Sequence, residues 1–325
     1  MKDTLKENQR NFLSRRVFRG KKRRGFTLLE LMVAMAITAL IVTVLVSITG
    51  IALDSWRRSR AQIRAARQAK AALETMAKDF ESLLVRNGNP YQWLVARVEP
   101  ELQGGGGGLG GPRNNPMPNA AQIVFFNSAT DRYEGQIGGQ KDEGGDVTAV
   151  GYRLIYRDPI LDRDEGSQGA YPVFALYRHL IDPKPTFDKL LGKTDLIDAY
   201  KTFQNSDYKP ENFVVENIFG LTVTFVVEYE DPQNAGVMKT QRVSIMKNGT
   251  GSGAVREFII SGDGIQVTGG GSQNLKNGRV VGVDLSITVL SDFGLQQASK
   301  TSIPTDQIIR EHGFHYSKSV IVPQP

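Results

Sequence analysis

The sequence predicts an α+β fold: one long N-terminal helix, apolar in its first half and amphipathic in its second, packed on a β-rich C-terminal domain. Three observations lead there. No proline occurs between Phe26 and Asn89, and Gly50 is the only glycine of that stretch before Gly88, so one helix can continue across it, with a break at Gly50 as the alternative. Beyond Pro90 the texture changes to short β-branched and aromatic runs set between Gly, Pro, Asn and Asp. Finally, 325 residues at 40% hydrophobic content can bury a substantial core.

The helix begins as a membrane-crossing element. Phe26 to Thr49 is apolar apart from Glu30, and about 24 residues at ~1.5 Å each cross a ~30 Å hydrocarbon core. Before it stand ten Lys or Arg within residues 1–25 against only Asp3 and Glu7. That net +8 exceeds the +6 of the whole chain, leaving residues 26–325 at −2. The basic balance therefore belongs to the first segment, and no nucleic-acid partner is expected of the body. Seven basic residues from Arg15 to Arg24 favour a cytoplasmic N-terminus and an extracytoplasmic body. No A-x-A-type site follows the apolar run cleanly before the chain becomes helical and charged, which argues against simple secretion.

Glu30 is the informative exception. A carboxylate inside an apolar span costs about 2.5 to 3.5 kcal/mol on insertion scales, so it marks a functional position unless it snorkels to the interface. The run Lys21-Lys22-Arg23-Arg24-Gly25-Phe26-Thr27-Leu28-Leu29-Glu30 resembles the processing motif of type IV prepilins and type II secretion pseudopilins. The resemblance implies cleavage between Gly25 and Phe26 by a prepilin peptidase, methylation of the new N-terminal Phe26, and a subunit-assembly role for Glu30. A released ammonium at Phe26 and a carboxylate at Glu30 are each costly in lipid alone and tolerable when paired between neighbouring subunits. The leader of 25 residues is long for such a motif, and residues 1–14 have no physical account.

The expected organisation is a removed basic leader over 1–25, a transmembrane and assembly helix over 26–49, its amphipathic continuation over 50–87, and an extracytoplasmic β-rich domain over 88–325 with a glycine-rich loop at 103–111. Trp56, Ile63, Leu73, Met76, Phe80 and Leu84, with Ala66 and Ala69 between them, recur near multiples of 3.6 and form the expected packing face. Glu74 and Lys78 form an expected i, i+4 pair, and Asn87-Gly88-Asn89-Pro90 is the expected stop. Arg57, Arg58, Arg60, Arg64 and Arg67 read as a solvated face rather than a headgroup-binding stripe.

In the body, strands are expected at 122–126, 147–156, 173–178, 221–229, 242–246, 257–260 and 280–290, with a short helix over 188–200. Phe174 to Arg178, Glu216 to Leu221 and the strand ending at Leu290 resemble J-type minor pseudopilins and W-type minor pilins, and also the Verru-Chthon cassette protein C group.

No catalytic constellation emerges. The chain has no cysteine and three histidines, His179, His312 and His315. His312 and His315 beside Glu311 lack the spacing of a zinc-protease helix and read as surface residues. Asp162 to Gly166 reads as an acidic turn rather than a calcium loop, because Val173 stands where a bidentate Glu belongs. No phosphate cradle, dinucleotide fingerprint or nucleophile elbow occurs. The expectation is a minor pilin or pseudopilin with no enzymatic activity, no cofactor and no metal. Its expected partners are prepilin peptidase, other pilin or pseudopilin subunits and the inner membrane. The alternative is a single-pass anchored binding module, with Tyr91 and Trp93 as exposed aromatics.

Overall fold

A computed structural model describes residues 25–98, 119, 121–128, 146–160, 173–203, 209–234, 236–246, 253–269, 275–298 and 305–323. The basic leader before Gly25, the glycine-rich loop at 103–111, the turn at Asp162 and Gly270–Gly271 lie outside the described residues. The chain divides into two compact units, Met1–Arg57 and Arg58–Pro325.

The first unit carries most of the apolar part of helix α1 (Leu28–Glu81). Every described residue in it is exposed, and this stretch of α1 is long and apolar enough to cross a membrane. The hydroxyls of Thr38, Thr43 and Thr49 donate to the carbonyls of Ala34, Ala39 and Leu45 at 2.8 Å each, so these polar groups present no unmet donor to an apolar surrounding.

The second unit is built around the remainder of α1 and two sheets. One sheet has seven strands in the order β10-β9-β1-β2-β3-β4-β5, the other five in the order β12-β11-β6-β7-β8. The strands are β1 (Gln92–Val98), β2 (Ala121–Ser128), β3 (Val147–Arg157), β4 (Val173–Ile181), β5 (Phe213–Glu216), β6 (Ile218–Glu230), β7 (Met238–Ile245), β8 (Ala254–Val255), β9 (Glu257–Ser261), β10 (Gly264–Thr268), β11 (Arg279–Leu290) and β12 (Gly313–Ile321). The architecture is α+β, as the sequence predicts. Pairing is antiparallel except between β7 and β8.

The core forms where α1 and the inner faces of both sheets meet. Ala65, Ala69, Ala72, Leu73, Met76, Ala77 and Phe80 are the buried apolar side chains of α1. The small residues permit close approach, and Phe80 stacks on Phe125 of β2 with centroids 4.6 Å apart. The sheets meet through Phe225 of β6 stacked on Phe258 of β9 at 4.1 Å, and Phe219 of β6 set edge-on to Phe174 of β4 at 5.2 Å. On the other face of the larger sheet, Trp93, Phe126 and Ile181 pack with Leu190, Leu196, Ile197 and Tyr200. The central strands β2 and β3 are thus covered on both faces, which explains their nearly continuous burial.

The chain passes from one sheet to the other at Asn217, between β5 and β6, with φ +66°. Asparagine tolerates this left-handed conformation better than a branched residue. Its side-chain amide N–H donates to Asp292 at 3.2 Å, and its backbone carbonyl accepts from the Leu290 N–H at 3.0 Å.

Several expectations need correction. The helix ends at Glu81, not at the Asn-Gly-Asn-Pro run. Leu83 bridges Asn127, and the Leu84 N–H donates to the Phe126 carbonyl at 2.9 Å. These residues occupy the edge of β2 beyond its register with β1, so the sheet competes successfully with the helix. The packing face starts at Ala65; Trp56 and Ile63, both more than half exposed, lie before the part of α1 that packs on the sheets. Glu74 lies 3.7 Å from Lys70, one turn before it. Trp93 is only 5% exposed, sandwiched on the covered outer face of the sheet, while Tyr91 is exposed as expected. The helix expected over 188–200 is a helical turn Pro183–Pro185 leading into a π-helical turn Thr186–Leu190, then a separate helix Leu196–Tyr200. Gly192, at φ +77°, separates them.

Candidate functional site: the start of the apolar helix

Gly25, Phe26 and Thr27 precede the first helical residue. Phe26 is 87% exposed, and nothing lies within 4 Å of where a Gly25 side chain would begin. Both residues thus lie outside the helix, in exposed backbone.

Thr27 and Glu30 close a reciprocal cap. The Glu30 N–H donates to Thr27 Oγ1 at 3.2 Å, while Glu30 Oε2 accepts from the Thr27 N–H at 3.0 Å and from Thr27 Oγ1 at 3.1 Å. This is a capping box, in which two donors left over by the helix start are satisfied by each other's side chains. The carboxylate also sits in the first turn, where the helix dipole favours negative charge. Thr27 is the capping partner of Glu30 that the sequence reading leaves out. Its signal was present: Thr-x-x-Glu standing directly before an apolar run. The arrangement gives Glu30 a second use, because the same group expected to face another subunit is already held in place within its own chain.

The arginines further along α1 divide. Arg57 lies 3.7 Å from Asp54. Arg64 instead bridges the body, 2.7 Å from both Glu216 of β5 and Asp292, and Gln68 reaches the same Glu216 oxygen at 3.5 Å. Arg64 thus belongs to the packing of α1, a role invisible at the sequence level because its partners lie more than 150 positions away. His312 lies edge-on to Phe293, with ring centroids 5.1 Å apart, and His315 Nδ1 is 2.9 Å from Thr288 Oγ1. Among the described residues no three His, Asp or Glu gather as metal ligands. A cleft of about 540 Å³ opens beside β9 and β10, with Ile260, Ile265, Val280 and Val322 in its walls and Lys276 at its lining.

With that geometry in place, comparison with known proteins adds one finding. Residues 20–46 match the family described as the prokaryotic N-terminal methylation motif. No curated protein and no solved structure matches the chain. The matched segment spans Gly25, Phe26, Thr27 and Glu30 together with most of the apolar run. It indicates a pilin-like substrate of prepilin peptidase, supports a type IV pilin or pseudopilin family, and suggests a structural subunit rather than an enzyme. The apolar helix behind it is consistent with a single membrane anchor.

Proposed function

We propose that this chain is a minor pilin or pseudopilin, a low-abundance subunit of a type IV pilus or type II secretion-like filament. The observation that carries the reading is the coincidence of the methylation motif at residues 20–46 with an exposed apolar helix whose first turn is organised by Thr27 and Glu30. Prepilin peptidase removes residues 1–25 by cutting between Gly25 and Phe26, and Phe26 is then methylated. Residues 26–49 anchor the subunit in the inner membrane and pack with other pilin-like helices; residues 50–87 lead into the body. The N-terminus is cytoplasmic and the domain over 88–325 periplasmic. A body of this size packs poorly at every position of a uniform filament, which supports a minor role.

Glu30 is the assembly carboxylate. In the free subunit its Oε2 oxygen is held by Thr27; in the filament the carboxylate meets the amine of a neighbour's Phe26, and the pair offsets the cost of each charge in lipid. Glu30→Gln is expected to be cleaved and membrane-inserted normally yet absent from sheared filaments. A Glu30→Gln subunit incorporated at the wild-type level contradicts the assignment. Stoichiometry equal to that of a major subunit contradicts the minor role.

A further inference from the structure

The cations of α1 far outnumber the acids beside them. Arg57, Arg58, Arg60, Arg64, Arg67 and Lys70 follow one another closely, while Asp54 is the only Asp or Glu between Leu31 and Leu73. Arg57 lies 3.7 Å from Asp54, Lys70 lies 3.7 Å from Glu74, and Arg64 turns to Glu216 and Asp292 of the body. Neither Arg58 nor Arg67 forms an ion pair with a described residue.

Distance along the helix separates these residues into two groups. Leu31 to Leu53 contain no Lys, Arg, Asp or Glu. Those residues make ~35 Å of helix, which a ~30 Å hydrocarbon core accommodates with a tilt inside the usual range. With Leu53 at the edge of that core, Trp56, Arg57, Arg58 and Arg60 stand within ~11 Å of it, in side-chain reach of the headgroup layer. Arg64 and Arg67 stand ~17 Å and ~21 Å beyond the same edge. All four residues of the nearer group are exposed. Trp56 is 58% exposed, and Trp beside Arg is the side-chain combination that anchors helices at a membrane–water interface.

We propose that Trp56 to Arg60 forms a binding site for anionic phospholipid headgroups in the leaflet that faces the body. The inference rests on the membrane-anchored reading of α1. A headgroup phosphate supplies the opposite charge that Arg58 does not find among the described residues, and its oxygens match the guanidinium donors. Negatively charged lipid gathers at basic segments placed beside a membrane span. A second copy of this chain is a poor substitute, because its own α1 brings Asp54 alone against the same six cations. The solvated-face reading of the arginines therefore changes for the three next to the apolar run and holds for Arg67.

Trp56 is also the reporter, since the other tryptophan, Trp93, is buried in the body. The full-length protein is reconstituted into phosphatidylcholine vesicles with a minor share of phosphatidylglycerol. In one preparation the phosphatidylglycerol carries bromine near the top of an acyl chain; in the other, the same amount of phosphatidylcholine does. Trp56→Phe gives the Trp93 emission to subtract. Brominated phosphatidylglycerol is expected to quench Trp56 as though enriched about five-fold around it. The preference should vanish when Arg57, Arg58 and Arg60 are all replaced by Gln, and in ~1 M salt, where the screening length falls to ~3 Å. It should survive when the same three become Lys, and be unchanged in Arg67→Gln. Loss of the preference to millimolar inorganic phosphate would make the ligand a free anion and overturn the lipid assignment. Flotation with the vesicles reports the anchor separately. A floating protein quenched equally by both lipids overturns the headgroup site alone and leaves the cations to an acidic protein segment. A protein that does not float overturns both readings.

Discussion

At the scale of single residues, the buried polar groups decide how α1 is held. Asp79 is 6% exposed and receives two hydrogen bonds from Arg178 of β4, Nε at 2.6 Å and Nη2 at 2.7 Å, with a third from the Tyr152 hydroxyl. Burial, followed by the Asp79 charge, pushes the Tyr152 phenol well above its ordinary range, so it remains a donor. Burial alone would lower the Arg178 pKa, but its bonds to Asp79 outweigh this and keep the guanidinium charged. Removing one member leaves the other buried and unmatched, so Asp79→Ala should cost about 3 kcal/mol in chemical denaturation. Asp79→Leu combined with Arg178→Leu should recover much of that loss. A single variant as stable as the parent would contradict the network. His179 behaves oppositely: burial, then the nearby Lys209, lowers its pKa from the ordinary 6.5. The unfolded chain then binds the proton first, so this contribution is complete above about pH 6.5 and is lost as pH falls through the folded value. Melting temperature measured from pH 7.5 to 5 should fall less in His179→Gln than in the parent.

At the scale of elements, regular periodicity was the legible part. Seven strands lie where runs of β-branched and aromatic residues between turn formers predict them, with clear alternation in the last of these, β11. β12, with its polar alternation, and the short β5, β8 and β10 carry weaker signals. The helix end was illegible for another reason: Ser82 to Leu84 have no helix-breaking character, and their pairing with β2 depends on a strand about 40 residues downstream. Gly25, Phe26 and Glu30 were legible as a motif, and the capping role of Thr27 was legible in principle. Replacing Thr27 with Ala should destabilise the first turn of α1 by about 1 kcal/mol. Faster amide exchange at Leu29 and Glu30 in detergent micelles would report it, with Thr27→Ser close to the parent. The crossover at Asn217 is also specific. Asn217→Gly should be tolerated, whereas Asn217→Val should lose about 1 to 3 kcal/mol through strain at positive φ. Equal melting temperatures for the two would contradict that reading.

For the whole molecule, the division at Arg57 and Arg58 separates two kinds of stability. The body draws on a large aromatic and aliphatic core and needs no disulfide, whereas the exposed apolar helix before it requires a surrounding that water does not provide. This asymmetry agrees with a pilin-like subunit, whose anchor is completed by lipid or by neighbouring helices. The sequence carried that division clearly, since it is written in composition. The partners of Arg64 and Asp79 were hidden because they are set by contacts between distant segments.

The most direct test of the central claim is the mature N-terminus of the protein isolated from membranes of its native host, read by intact mass and terminal peptide sequencing. The account predicts a chain beginning at N-methylated Phe26, with this product lost when Gly25 is replaced by a bulky residue. A fully matured pool that still carries Met1 to Gly25 would contradict it.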